Sequence, residues 1–392
     1  MSIDHETAIV RQWAAIYDAV YESAEDSSGA DFSGWRSSIT GENYSAAETA
    51  EWLRGTAEEI LRLEPESVLE LGAGTGLVVE AILPHVKRYV GTDISATAVA
   101  RMNRDYGHRA GTRFRVADAD SPDIPGGFDV VVLNSVVHHF PGAGYLRRAL
   151  GRAVRACAPG GAVFLGDVHS LPLRDALRLC VLAATEPGEL SAAEVRGRLA
   201  AMADRERELV IDPAFFPAFA AEHSLVADIR LKPGAYDTEM NLFRYDVRLR
   251  PAGPGLVSPG ATARVPWDSR DAERLVDETT AGELPVTVTG IVHPDLDPPV
   301  TALTTVRGLA DEERVDVTAL LARARAAGTA GIRPAALREV AAERGLACHC
   351  LPAYSESARY DAVLAPLSRA SGLAADVVDE PGRPLVNVPR MQ

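Results

Sequence analysis

Hydrophobic positions change their spacing along this chain, and each change predicts an element. Over residues 6–22 they recur every three to four places, with Ile9, Trp13, Ile16, Tyr17 and Val20 on one side of an expected amphipathic helix. A polar, turn-rich stretch at 31–45 follows, holding Trp35, Arg36, Ser37, Ser38 and Tyr44. Trp52, Ala57 and Ile60 then mark the apolar side of a helix over 46–63. From Ser67 the pattern becomes short apolar runs at 67–71, 88–92, 112–116, 128–134, 161–166, 225–231 and 243–249, separated by helical stretches. That alternation is the βαβ signature of a doubly wound, mostly parallel sheet. Residues 172–209 are helical by composition and interrupt it before the last two strands, where an insertion is expected to cover a site.

The stretch 251–266 is rich in Pro and Gly and reads as a linker. Beyond it come expected strands at 285–292 and 301–306, helices at 316–327 and 334–344, and closing strands at 347–351 and 360–364. The expected organisation is an N-terminal helical lid (1–66), an α/β core (67–250), the linker, and a small C-terminal α/β appendage (267–392).

The first strand breaks into alternating glycines: Val68-Leu69-Glu70-Leu71-Gly72-Ala73-Gly74-Thr75-Gly76. A helix is expected at 77–83 just after it. Glycine lacks a Cβ, so such a loop accepts positive φ and lets backbone approach a ligand closely. Asp93, in Gly91-Thr92-Asp93-Ile94-Ser95, ends the next strand, where an acid can hold a ribose diol. Two nucleotide readings compete with a plain glycine-rich turn. The dinucleotide fingerprint wants G-x-G-x-x-G against a pyrophosphate. Here the glycines alternate and Glu70 precedes them, badly placed for a pyrophosphate and well placed for a cationic ligand.

Net charge narrows the partners. Forty Lys and Arg stand against 55 Asp and Glu, a net charge of −15, which argues against a nucleic-acid face and an anionic membrane surface. No run is apolar for long enough to span a bilayer, and residues 1–10 hold no signal-peptide core, so a cytoplasmic protein is expected. Cys348-His349-Cys350 lacks the second ligand pair of a zinc site and reads as reduced thiols in a strand, with no metal expected.

The alternating-glycine loop resembles motif I of the class I methyltransferases, whose ligand is S-adenosylmethionine. More of the chain carries a narrower likeness. The runs Val90–Asp93, Phe128–Val137, Gly160–Val168, Glu208–Phe216 and Phe243–Val247 are similar to the methyltransferase domains embedded in nonribosomal peptide synthetases. The likeness starts near Trp13, includes Trp35–Ser38, and runs to Tyr360–Val363. It implies a class I methyltransferase, Rossmann-like fold and N-methylation of an aminoacyl group held as a carrier-protein thioester. The chain shows no adenylation motifs and no phosphopantetheine-attachment serine, which points to a stand-alone or excised version, with a released small molecule as a possible acceptor.

On that reading Gly72, Gly74 and Gly76 give backbone approach and Glu70 faces the methionine end of the cofactor. Asp93 takes the ribose hydroxyls and Ile94 packs the adenine. Asp118 is a candidate for the adenine amino group, although Asp118-Ala119-Asp120-Ser121-Pro122 is also good turn chemistry. Asn134 ends the fourth strand, where open α/β sheets present ligands. His138 and His139 follow, and a neutral imidazole suits proton removal from an ammonium or phenol. The family more usually carries Gln-Tyr there, and often Arg at the position of His169, so these residues are departures. His169 is a second base or an orienting group, and Glu239 could hold an amino group. Trp13, Tyr17, Tyr21, Trp35 and Tyr44 read either as a lid or as core. Methylation of oxygen or carbon on a free natural product, and a silent carrier-protein-binding scaffold, are the alternatives that the residues leave open.

Overall fold

The computed structural model describes residues 3–23, 35–253, 256–280, 284–352, 357–367, 372–375 and 384–390. Residues 31–34 of the polar stretch and 254–255 of the expected linker lie outside them. The chain opens with helices α1 (Ile3–Ser23) and α2 (Ala46–Leu61). Ser45 caps α2 by accepting from the Glu48 N–H, and Glu48 returns the bond to the Ser45 backbone. The sheet then builds through β1 (Ser67–Leu71), α3 (Leu77–Ile82), β2 (Arg88–Asp93), α4 (Ala96–Tyr106), β3 (Thr112–Val116), β4 (Phe128–Asn134), α5 (Ala143–Ala156) and β5 (Cys157–His169). The insertion holds α6 (Arg174–Thr185), a short β6 (Glu189–Ser191) and α7 (Ala192–Asp204). After it come α8 (Phe215–Glu222), β7 (Leu225–Leu231), α9 (Glu239–Leu242) and β8 (Arg244–Pro251).

Seven strands form the central sheet in the order β3-β2-β1-β4-β5-β8-β7. β1 pairs in parallel with both β2 and β4, so the winding reverses at its carboxyl end. β8 enters antiparallel between β5 and β7. Side-chain alternation explains the two covered faces. Leu69, Leu71, Val131 and Leu133 point into one core with α5 and α8. Val68, Val130 and Val132 point into the other, with α3 and α4. A ligand crevice belongs at the carboxyl ends where the order reverses.

The remaining elements are β9 (Leu256–Val257), β10 (Ala263–Pro266), α10 (Ala272–Thr280), β11 (Val286–Val292), α11 (Asp297–Gly308), β12 (Arg314–Asp316), α12 (Val317–Ala327), α13 (Pro334–Glu343), β13 (Leu346–Pro352), β14 (Arg359–Pro366) and β15 (Gly372–Leu373). Two features depart from the pattern-based expectations. Residues 301–306, expected as a strand, lie inside helix α11. The β-branched run misled, because Ala302, Leu303 and Val306 fall on one helical face that packs with Leu177 and Leu182 of α6. Pro298 and Pro299 sit in the first turn, where no intrahelical N–H is required. The Pro/Gly-rich stretch at 251–266 is not without structure: Ala263–Pro266 pairs in parallel with β11 at the edge of a second sheet, β10-β11-β14-β13. An edge strand tolerates the proline. Ile16, expected on the inner side of α1, is exposed.

The C-terminal region is interlocked with the core. α6 and α7 share one apolar cluster with α11 and α12, and β6 pairs with β12. Arg338 of α13 donates to the carbonyls of Leu231 (2.7 Å) and Lys232 (3.0 Å). Asp212 N–H donates to Leu385 O at 2.8 Å near the chain end. Leu303→Ala should therefore cost roughly 2–5 kcal/mol and lower one cooperative transition, followed by tryptophan fluorescence and circular dichroism together. A separate early transition that spares the central sheet would show instead that the two regions melt independently.

Candidate active site

The glycine loop takes the conformation its residues permit. Gly72, Gly74 and Gly76 have φ of 85°, 51° and 89°. A Cβ on Gly72 would stand 2.5 Å from Val136 Cγ2, so loop and β4 exit close together only because that carbon is missing. Asp93 holds the loop from below, accepting the Gly74 N–H and the Ser95 N–H at 2.8 Å each. Each oxygen keeps a lone pair for another donor. Glu70 is fully buried and accepts the Tyr89 hydroxyl at 2.6 Å. Burial raises its carboxyl to about 8, with the Asp93 charge adding to the rise.

Above the carboxyl ends of β1, β4 and β5 lies a cavity of about 370 Å³, within the usual size of small-molecule sites. Glu70, Gly72, Ala73, Gly74, Asp93, Ile94 and Asn134 line one end. His138, His139, His169, Glu208, Glu239 and Arg244 line the other. Trp13, Tyr17, Tyr21, Trp35, Tyr44 and Trp52 form aromatic walls. The aromatic stripe on α1 is thus cavity wall as well as packing. Helix α1 is fastened there by Asp18, which accepts the Ser95 hydroxyl at 2.5 Å, and by Glu6 on Arg148 at 2.6 Å.

Ten of the twelve residues anticipated from sequence line this cavity. Gly76 does not; it is the left-handed cap of α3, and a Cβ there would press on Tyr106 at 3.2 Å. Asp118 does not either: its carboxylate accepts the Asp120 N–H at 2.8 Å and closes a turn, while Ala117 and Ala119 form the wall.

The floor is an ion network. Asp167 is completely buried at φ 66° and accepts from Ser135 Oγ (2.5 Å), Arg244 (2.5 Å) and Trp52 Nε1 (3.3 Å). Arg244 and Lys232 hold its carboxyl far below the usual range against the cost of burial. Arg244 also reaches Glu239 at 3.5 Å. Glu239 is buried and accepts the Ser38 N–H (3.0 Å) and hydroxyl (2.6 Å) on Oε2, while Oε1 is the oxygen near Arg244. Arg244 and Tyr245 alternate as strand neighbours must: Arg244 lines the cavity, and the Tyr245 hydroxyl turns inward to Ile211 O at 2.9 Å.

The three histidines converge. His138 and His169 stack with centroids 4.4 Å apart and planes 6° apart, and His139 lies 4.0 Å from His138. Tyr17 O–H lies 2.6 Å from His139 Nε2. Burial lowers all three, His139 to about 4, so the rings are neutral at physiological pH. Sequence reasoning assigned no role to Glu208, Arg174, Trp52 or Ser135. Glu208 and Ser135 stood in recognised runs, Arg174 and Trp52 in none.

The residues present fit S-adenosylmethionine. Asn134 Oδ1 is buried without a partner, the glycine cradle leaves backbone at the wall, and two acids face the same end. Glu70 suits the cationic amino-acid end, Asp93 the ribose, and Ile94 with Ala117 and Ala119 the adenine. The bound group supplies a methyl on a sulfonium sulfur.

Fold and site together define a class I methyltransferase domain that depends on S-adenosylmethionine. Residues 69–163 match the family described as a methyltransferase domain. The chain is 34% identical over 279 residues to chondramide synthase cmdD of Chondromyces crocatus, covering 69% of this chain and 7% of that protein. It is 30% identical over 256 residues to the nonribosomal peptide synthetase asqK of Emericella nidulans, covering 61% of this chain and 10% of that protein. The chain thus spans only a small part of the curated relatives it matches. Among solved structures, N-methyltransferase NodS from Bradyrhizobium japonicum WM9 with S-adenosylhomocysteine aligns over 51% of this chain and 87% of its own, at 18% identity and a TM-score of 0.35.

Glu70 at the cationic end of the cofactor should make its binding pH-dependent. The free protein carries its proton below about 8, and a cation beside it favours the carboxylate. Affinity for S-adenosylmethionine should rise between pH 6 and 8, by up to about tenfold per unit, with proton release seen by calorimetry in buffers of different ionisation enthalpy. A pH-independent affinity without proton release would remove Glu70 from contact with the cationic end.

Proposed function

We propose that this domain methylates an amine nitrogen of an amino acid, aminoacyl thioester or peptide in nonribosomal-peptide-type biosynthesis. The observation that carries the reading is Glu239: a buried carboxylate lining the cavity, with Ser38 on one oxygen and Arg244 3.5 Å from the other. An amine N–H bound there would be oriented with its lone pair toward the cofactor end. The nitrogen must be unprotonated to attack, and neutral imidazoles at His138, His139 and His169 provide proton acceptors next to it. The aromatic walls exclude water and offer π-faces to a cationic sulfur or nitrogen.

Methyl transfer is an in-line displacement, so rate depends on alignment more than on a strong protein base. Arg244, pinned between Asp167 and Glu239, keeps the acceptor carboxylate in place. Similarity to peptide synthetases supports an aminoacyl or peptidyl acceptor, carried on a protein or free. No described helix is long and apolar enough to cross a membrane. All four cysteines are unpaired, which suits a cytoplasmic setting.

Incubation with S-adenosylmethionine and a set of free, thioester-linked and carrier-loaded amino acids should give a methyl mass increment located on nitrogen by fragmentation. Glu239→Gln should raise KM for the amine by roughly ten- to a hundredfold, the ~1.5–3 kcal/mol of a charged hydrogen bond, without weakening cofactor binding. A methyl found on oxygen or carbon, or an unchanged KM, would contradict the amine assignment.

A further inference from the structure

Three histidines face the acceptor; Glu208 favours a positive charge on each, and direct contact with it separates their roles. A group that takes a proton from the acceptor must carry a positive charge afterwards. His139 is tied by Nε2 to the Tyr17 hydroxyl at 2.6 Å and wedged against Trp13 at 4.3 Å. His138 stacks between the other two rings, and both flanking imidazoles oppose a charge on it. His169 differs. Its Nδ1 stands 3.1 Å from Glu208 Oε2, within ion-pair distance though outside hydrogen-bond alignment, and neither ring nitrogen has an aligned partner. The ring is itself 5% exposed and lines the cavity beside Glu208.

We propose that His169 takes the acceptor's proton and that Glu208 is its positioning residue, holding the ring and balancing the imidazolium. This rests on the methyltransferase reading of the same cavity. The step balances: the acceptor ammonium gives an N–H proton to a ring nitrogen of His169, which becomes imidazolium against Glu208. The freed lone pair forms the N–CH₃ bond while the methyl–sulfur bond breaks with its electron pair remaining on sulfur. The methylated product leaves as an ammonium, and the imidazolium returns its proton to solvent.

Glu208 is built for this second task by the insertion. Arg174 of α6 donates to Glu208 at 3.1 Å and to Glu206 at 2.7 Å, and Arg178 donates to Glu206 at 3.1 Å. Glu208, half-buried, is held well below the usual carboxylate range by His169, His138 and Arg174 against the cost of desolvation, and Arg174 fastens it beside His169. The other charged groups facing His169 are Arg244 on β8, Arg174 on α6 and Asp167 on its own strand. The two arginines oppose an imidazolium, so Glu208 is the carboxylate in direct contact that makes one tolerable.

The histidine anticipated first from sequence was His138, four residues beyond the end-of-strand Asn134. The run that contains Glu208 was legible as a motif but not as a partner, because His169 is 39 residues away. Only the packing of the insertion against the β5 exit brings the two together.

The test is the pH dependence of kcat/KM for wild type, Glu208→Gln, Glu208→Asp and His169→Gln, with alanine N-acetylcysteamine thioester and S-adenosylmethionine. Loss of the anionic partner lowers the affinity of His169 for a proton, so in Glu208→Gln the acid limb should move down by about one pH unit. Its plateau should fall ten- to a hundredfold, and Glu208→Asp, its carboxylate drawn back by one carbon, should lie midway between wild type and Glu208→Gln in both. His169→Gln should lose the limb. A limb that stays in place in Glu208→Gln, or full turnover in His169→Gln, overturns the proposal. If Glu208→Gln no longer binds S-adenosylhomocysteine, the comparison moves to Glu208→Asp and to NMR titration of His169 in the two soluble proteins. An equal His169 pKa in both, against a value at least half a unit lower when the carboxylate is drawn back, decides it. Methyl located on oxygen would defeat the amine reading, while the limb shift would still decide the role of Glu208. If the thioester is not methylated at all, the same NMR titration of wild type against Glu208→Gln decides that role.

Discussion

The buried contact between Asp167 and Arg244 is the constraint on which the cavity depends. Neither group could sit there alone, since an uncompensated buried charge of this kind costs roughly 3–5 kcal/mol. Together they join four elements. Ser135 from the β4 exit, Trp52 from α2, Lys232 after β7 and Arg244 at the start of β8 all meet the carboxylate of one residue on β5. Arg244 then carries the charge on to Glu239. The floor of the site is thus a chain of alternating charges, and Glu239 is its last link.

Backbone strain supports the same point. Ser135 and Asp167 both hold positive φ, 50° and 66°, without being glycine. Such positions cost on the order of 1–3 kcal/mol each and persist where surroundings over-determine them. Here the two side chains bond each other at 2.5 Å, so the strained residues secure the turn that aims the β4 and β5 exits at the cavity. The cofactor half is built differently, from a glycine loop pinned by Asp93 and closed over by α1. One half of the cavity is made of backbone and the other of buried charge.

What could be read in the chain follows the range of the interaction. Gly72, Gly74, Glu70 and Asp93 were legible because a strand, a tight loop and the next strand are local and their spacing is narrow. The sheet was legible because alternation reports burial directly. Residues 301–306 were misread because β-branched side chains resemble a strand, while packing against α6 decided for helix. Asp118 closes a turn with one carboxylate oxygen, and its two flanking alanines line the cavity. Glu208, Arg174 and Trp52 could not be assigned, since their roles come from the insertion and α2 folding over the sheet. The aromatic stripe on α1 was ambiguous because packing and cavity-lining use the same residues at the same spacing.

Everything proposed for the acceptor requires that one cavity place the cofactor's sulfur before the Glu239 and histidine end. A crystal structure with S-adenosylhomocysteine tests this most directly. The ribose hydroxyls should lie on Asp93 and the amino-acid end by Glu70, with the sulfur open toward Glu239 and His169. A ligand bound with its sulfur turned away from that end, or adenine lying among the histidines, would contradict it.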